Sequence, residues 1–274
     1  MEADAQLAAV AALFDTVAAD YDNTDVAYFG PIAAQLVSAA APVPGERAVD
    51  LGCGGGAVTS RLADAVGTTG SVLAVDYSAA MVARTAALLA DRPQVEVVHG
   101  DAGAPGVPEG SVDLVTASLV IFFLPDPWAA ISRWMRLVRP GGRVALTTFG
   151  ATAPDWGRAE ALLRPFMPAF DPRVVGPDGP FASDANMERF VLDAGADRVV
   201  TTPFRVPAVF DDTDHWVRWS RSVGQRAAWD RMSPDQVQAT VAAAAEALEP
   251  TRGEDGRLHV WQDVRCTVGW RPED

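Results

Sequence analysis

The chain has 274 residues, 49% of them hydrophobic and 21% charged, and a net charge of −14. That suits one large α/β domain, or one domain with a substantial insertion, and excludes a disordered chain. All 22 basic residues are arginine. The acidity disfavours nucleic acid and anionic membranes as partners, and the absence of lysine excludes Schiff-base and phosphate-loop lysine chemistry.

Two cysteines, Cys53 and Cys266, make no disulfide framework. The N-terminal stretch lacks a secretion pattern, and no apolar run reaches the roughly 18 residues of a membrane helix. The expected location is the cytoplasm.

In chain order, "RAVDL" (47–51) predicts a short buried strand that ends at a glycine cluster. Val58, Leu62 and Val66 then recur at a helical period. "SVLAVD" (71–76) predicts a second strand, and Ser78 caps a helix with Met81, Val82, Thr85, Leu88 and Leu89 on one face. Strands are expected at 95–101 and 112–123. Pro127 opens a helix with Trp128, Ile131, Trp134, Met135 and Val138 as its stripe, and "RPGG" (139–142) stops it. A fifth strand covers 143–149. Strands alternating with helices at this spacing predict a doubly wound, mostly parallel sheet.

The second half is less regular. Residues 151–180 read as a proline-rich loop or lid with a short helix near 156–164. A helix near 184–194 and a strand near 197–203 resume the pattern. Residues 212–248 read as helical, with a capping box at Ser233 to Gln236 and proline at the first helical position. "RLHVWQDVRCTVGW" (257–270) predicts a last long strand.

The glycine cluster admits two ligands. Gly52, Gly54 and Ala57 match a dinucleotide fingerprint, whereas Asp50, Gly52, Gly54 and Gly56 match D-x-G-x-G-x-G. A carboxylate at the end of the preceding strand repels a pyrophosphate but favours a cation. The fold in which the second pattern occurs binds S-adenosylmethionine, whose methionine end carries an ammonium and a sulfonium, and Asp50 suits such a cationic ligand. Asp76 at the second strand tip suits ribose hydroxyls, and Asp101 at the third suits an adenine amino group. Three acids at successive strand ends form a single site.

"VDLGCGGG", "AVDYSAAM", "GDA", "SLVIFFLPDP" and "LVRPGGRVAL" together resemble the ordered motifs of class I S-adenosylmethionine-dependent methyltransferases. The similarity is to the ubiquinone- and menaquinone-biosynthesis type of small-molecule enzyme, and covers about residues 12–150. "FDTVAADYD" (14–22) resembles the N-terminal helix that closes over the cofactor in that branch. The resemblance implies a Rossmann-like sheet of seven strands, the last antiparallel, with helical lid insertions. It implies one domain over 1–274, with cap helices in 1–30, a cofactor-binding core in 45–150 and lid segments at 151–182 and 205–250. It places Asp50 and the backbone of Gly52 and Gly54 at the methionine end, counts Gly56 among the cofactor-binding residues and puts Asp76 on the ribose. Tyr77 and Met81 would flank the adenine, Asp101 and Ala102 read its edge, Ser118 presents backbone near the ammonium, and Tyr21 approaches from the N-terminal helix.

Methyl transfer from a sulfonium is an in-line displacement that requires neither metal nor covalent intermediate. A base helps when the acceptor carries a proton of high pKa. His99 and His259 read as structural. His215 lies in an aromatic segment the sheet does not need, so it is the candidate base, with Tyr21 as a second catalytic candidate. Trp156, His215, Trp216 and Trp219 are the candidate substrate-binding residues. The expected reaction is methyl transfer to O, C or N of a small, fairly apolar metabolite by a monomer or homodimer. The alternative is a related fold that keeps the cofactor but catalyses a rearrangement or cyclisation.

Overall fold

The computed structural model describes residues 2–22, 24–168 and 172–273. Seven strands form one sheet: β1 (Arg47–Leu51), β2 (Ser71–Asp76), β3 (Val95–His99), β4 (Val112–Ser118), β5 (Val138–Thr152), β6 (Arg198–Phe210) and β7 (Leu258–Trp270). Their order is β3-β2-β1-β4-β5-β7-β6. The first five pair in parallel, and β7 runs antiparallel between β5 and β6. The strand order reverses between β1 and β4. Such a reversal opens a crevice at the carboxyl ends of the strands, where ligands bind in open α/β sheets.

Eleven α-helices accompany the strands among the described residues: α1 (Glu2–Val17), α2 (Phe29–Ala40), α3 (Ala57–Val66), α4 (Ala79–Leu88), α5 (Pro127–Leu137), α6 (Pro154–Ala161), α7 (Pro172–Val175), α8 (Asp184–Asp193), α9 (Thr213–Arg221), α10 (Arg226–Trp229) and α11 (Pro234–Leu248). Strand side chains alternate between faces, and each face has its own core. Leu36 of α2 and Leu62 and Val66 of α3 cover Ala48, Leu114 and Val268 on one side. Trp134 and Met135 of α5 and Met187 and Val191 of α8 cover Val49, Val115 and Leu146 on the other.

A third core lies beyond the sheet edge. Trp156, Trp216, Trp219, Trp229 and Leu248 from α6, α9, α10 and α11 bury one another against Phe210, Leu258 and Val260 of the extended β6–β7 pair. This is the lid.

The structure departs from the sequence expectation in several places, each for a local reason. The helix expected to include Val138 ends at Leu137 because Val138 is already extended (φ −71°, ψ 144°), so the fifth strand runs Val138–Thr152 and not 143–149. The fourth strand ends at Ser118 because Leu119 adopts a left-handed φ of 57°, and a 3₁₀ turn at Ile121–Phe123 follows. The sixth strand runs on to Phe210 through Pro203 and Pro207. Proline is tolerated there because β6 is an edge strand, with one side free of ladder bonds. The helical stretch 212–248 is broken into α9, α10 and α11. The last of these starts at Ser233, whose hydroxyl accepts from Gln236 N while Gln236 Oε1 accepts from Ser233 N, completing the expected capping box. Among the described residues no helix is long and apolar enough to cross a membrane.

Candidate active site

The turn after β1 forms one wall of the crevice. Gly52, Gly54 and Gly56 have φ of 68°, 50° and 83°, a region that L side chains rarely adopt. A Cβ on Gly52 would come within 2.4 Å of Val120 Cγ2, so the close approach itself requires glycine. The turn is anchored by Thr85 of α4, whose hydroxyl donates to Gly54 O at 2.6 Å.

Asp50 lies beneath this turn, 1% exposed. Its carboxylate accepts from Thr59 Oγ1 at 2.6 Å and Thr116 Oγ1 at 2.9 Å. No cation pairs with it among the described residues. Burial therefore pushes its pKa up to about 6, with the nearby Asp76 adding to the rise against the two hydroxyls. A buried carboxyl with only neutral donors gains most from a cationic ligand.

Asp76 at the β2 tip accepts from Gly54 N at 2.8 Å and Ser78 N at 2.9 Å. Its pKa is raised by burial against these bonds. Asp101 follows β3 and accepts from Gly103 N at 2.7 Å. Trp134 Nε1 donates to Ala102 O at 2.8 Å and fixes that turn. Gly52, Gly54, Asp76, Tyr77, Asp101, Ala102 and Ser118 all line one cleft with Tyr21. Asp50 and Ser118 line a small adjoining cavity, again with Tyr21. Leu7, Val10 and Phe14 of α1 cover the cleft and leave about 80 Å³ within it. The donor set fits S-adenosylmethionine: acids for the ribose, the adenine edge and the cationic end, and glycines where backbone meets ligand.

A second, larger cavity of about 320 Å³ opens beside the cleft. Tyr21, Leu119, Phe14 and Phe123 belong to both walls. Tyr28, Phe29, Phe122, Phe149, Met167, Trp219 and Val223 make the rest of it largely apolar. Its polar side chains include Glu160 of α6, with Gln225 and Gln262. Gln225 Nε2 donates to Glu160 Oε1 at 2.7 Å. Burial pushes the Glu160 pKa up to about 7, against the Gln225 bond and the charge of Arg164. Gln262 is bound to strand backbone and to Thr152 Oγ1, at 2.8 Å for the latter. Among the described residues no group of three or more His, Cys, Asp or Glu could hold a metal ion.

Of the lid candidates, Trp219 reaches this cavity and three residues do not. Trp156 and Trp216 are 0% exposed and sit in the lid core, Trp156 against Tyr28, Phe210 and Trp219 and Trp216 against Trp229. His215 corrects the expectation of a catalytic base. Its Nε2 donates to Thr24 O at 2.6 Å and its Nδ1 accepts from Asp211 N at 3.1 Å. Both nitrogens are thus used by backbone, and the ring fastens α9 to the segment before α2. Met81 is also placed apart from the cleft. It is 0% exposed and packs on Val17 and Ala18, joining α4 to α1. His99 stacks on Tyr77 and bonds its carbonyl oxygen at 3.0 Å.

Sequence reasoning missed Glu160, Gln225, Gln262 and Tyr28. Glu160 reads as an ordinary polar helix residue. Gln262 left a usable signal: it occupies the inward register of Leu258, Val260 and Val264, where an apolar residue is expected.

A methyltransferase domain family matches residues 49–146. Nocamycin O-methyltransferase of Saccharothrix syringae is 35% identical over 247 residues, covering 84% of this chain and 87% of its own. Aklanonic acid methyltransferase of Streptomyces sp. (strain C5) is 37% identical over 137 residues, covering 49% of this chain and 62% of its own. The solved structure of the YcgJ protein from Bacillus subtilis shares the fold, with a TM-score of 0.62 at 15% identity over 89% of this chain and 99% of its own.

Proposed function

This chain belongs to the S-adenosylmethionine-dependent methyltransferases, and on that premise we propose that it methylates an oxygen of a small, apolar, ring-bearing metabolite. The observation that carries this reading is the aromatic cavity that shares Tyr21 and Leu119 with the acid-lined cleft. One chamber suits a polar, cationic cofactor and the other an apolar acceptor. The naming of a 35% identical relative as an O-methyltransferase supports oxygen as the accepting atom.

Bound S-adenosylmethionine supplies a methyl group on a good leaving group. The protein's part is to bind, align and exclude water. In this reading Asp76 holds the ribose, Asp101 and Ala102 the adenine edge, and Asp50 with the backbone of Gly52 and Gly54 the cationic end. Tyr77 and Ser118 complete the cleft. Tyr21 stacks on Phe29 with ring centroids 4.8 Å apart and lines both chambers, so it sets the distance between donor and acceptor. Trp219 and Tyr28, edge to face at 5.2 Å, form a rigid wall for a flat acceptor.

The test is incubation with S-adenosylmethionine and a panel of hydroxylated and amino-substituted ring compounds, followed by mass spectrometry. The expected result is S-adenosylhomocysteine together with an O-methyl product. Products methylated only at nitrogen or carbon would overturn the oxygen assignment. Absence of S-adenosylmethionine binding by calorimetry would overturn the site assignment.

A further inference from the structure

Among the described residues Glu160 is the one carboxyl on the wall of the aromatic cavity, and that wall carries no arginine or histidine. Its carboxyl accepts a hydrogen bond from Gln225 Nε2 at 2.7 Å. The other end of that amide is unused, since Gln225 Oε1 is buried without a partner. The carboxyl is thus a hydrogen-bond acceptor set in a largely apolar wall. Burying acceptors this way is unfavourable unless a donor arrives. A ligand that brings O–H groups relieves it. A carboxylate ligand would instead meet like charge, with no cation on that wall among the described residues.

We propose that Glu160, positioned by Gln225, is the proton acceptor for a neutral phenol- or enol-type hydroxyl bound in the aromatic cavity. This rests on the methyltransferase reading of the site and names its acceptor class. The acceptor O–H gives its proton to Glu160. The oxygen lone pair forms the O–CH₃ bond as the S–CH₃ bond breaks, and that bond's electron pair stays on sulfur. The products are a methyl ether, S-adenosylhomocysteine and a neutral Glu160, which returns its proton to solvent. A hydroxyl that kept its proton during attack would become an oxonium in an apolar cavity, so removing the proton carries the step. The Glu160 pKa of about 7 suits a base working near neutrality. The charged and titratable groups that influence it are Arg164, just past α6, and Tyr28, before α2.

The test uses 7-hydroxycoumarin, whose fluorescence distinguishes phenol from phenolate, bound to the full chain with S-adenosylhomocysteine. The ionised Glu160 opposes formation of a phenolate beside it. The expected phenol-to-phenolate transition therefore lies at least about one pH unit higher in the wild type than in Glu160→Gln. Gln225→Leu strips the donor from the ionised carboxyl, raises the Glu160 pKa and moves the transition the same way by less. A purely structural Glu160 would leave the probe's ionisation alone. An unmoved transition in both variants overturns the proposal, as does failure of the probe to bind the wild type. Normal S-adenosylhomocysteine binding with an unmoved transition defeats only the Glu160 assignment. Loss of S-adenosylhomocysteine binding by the wild type defeats the methyltransferase reading of the site.

Discussion

The cofactor cleft and the lid cavity are built in opposite ways. The cleft is polar and local. Gly52 and Gly54 follow Asp50 within four residues, and Asp76 and Asp101 each stand at or just past the end of the next strand. The lid cavity is aromatic and dispersed: Tyr28, Phe149, Glu160, Trp219, Gln225 and Gln262 come from segments far apart in the chain. A fixed ligand can be held by short motifs on a fixed turn. A variable ligand is enclosed by whatever the lid elements bring together, so its contacts leave no regular spacing.

That contrast predicts separable effects. The largest belongs to the lid. Trp219→Ala removes a ring that packs on Tyr28, Trp156 and Phe210, and should cost about 3–5 kcal/mol of stability. In chemical denaturation the midpoint should fall. Acceptor KM should rise in the folded fraction while S-adenosylmethionine affinity holds. A variant that instead lost the cofactor would break the separation.

Gly52→Ala acts on the other side. The left-handed φ and the 2.4 Å approach to Val120 imply about 1–3 kcal/mol of local strain. Calorimetry should show S-adenosylmethionine affinity falling by roughly tenfold or more, with acceptor KM little changed. Asp76→Ala should weaken the cofactor by about 1–3 kcal/mol through lost charge-assisted hydrogen bonds. Unchanged affinity would mean that the ribose lies elsewhere.

His215→Ala sharpens the lid side. Two backbone hydrogen bonds are lost, worth about 1–2 kcal/mol together, and thermal unfolding should shift down accordingly. Turnover per folded molecule should stay near wild type across the neutral range. A fall of about 10²-fold would restore the histidine as a base.

The smallest effect is one of pH. The Asp50 pKa is about 6 in the folded protein, above its ordinary value of 3.8. Its contribution to stability is fully present below 3.8 and is lost as pH rises through about 6. A cationic ligand reverses this preference, because it favours the carboxylate. S-adenosylhomocysteine, which keeps the ammonium, should therefore raise the melting temperature more at about pH 7.5 than at about pH 5. Asp50→Asn should flatten that difference.

The alternating strands and helices and the residues of the cleft were legible because period-2 and helical patterning, a glycine turn and strand-end acids are all short-range signals, while the seven-strand count came from the family resemblance. Tyr21 was legible through its motif. The lid was legible only as surplus length and tryptophans. Its three tryptophan candidates looked alike in sequence, since a pattern of buried positions says nothing of what they are buried against. Trp219 faces the cavity while Trp156 and Trp216 fill the core behind it. His215 looked chemical because histidine next to tryptophan suggests a pocket. Its partners, Thr24 O and Asp211 N, are backbone groups that leave no mark in side-chain patterns. Glu160 was hidden for the converse reason. Its pKa is raised by burial among segments distant in the chain, against the Gln225 bond and the charge of Arg164.

A crystal structure of the chain with S-adenosylhomocysteine tests the division into two chambers most directly. The account predicts ribose hydroxyls on Asp76, the adenine edge at Asp101 and Ala102, and the thioether sulfur facing the aromatic cavity between Tyr21 and Leu119. A sulfur turned away from that cavity, or a nucleoside bound on the Tyr28–Trp219 wall, would contradict it.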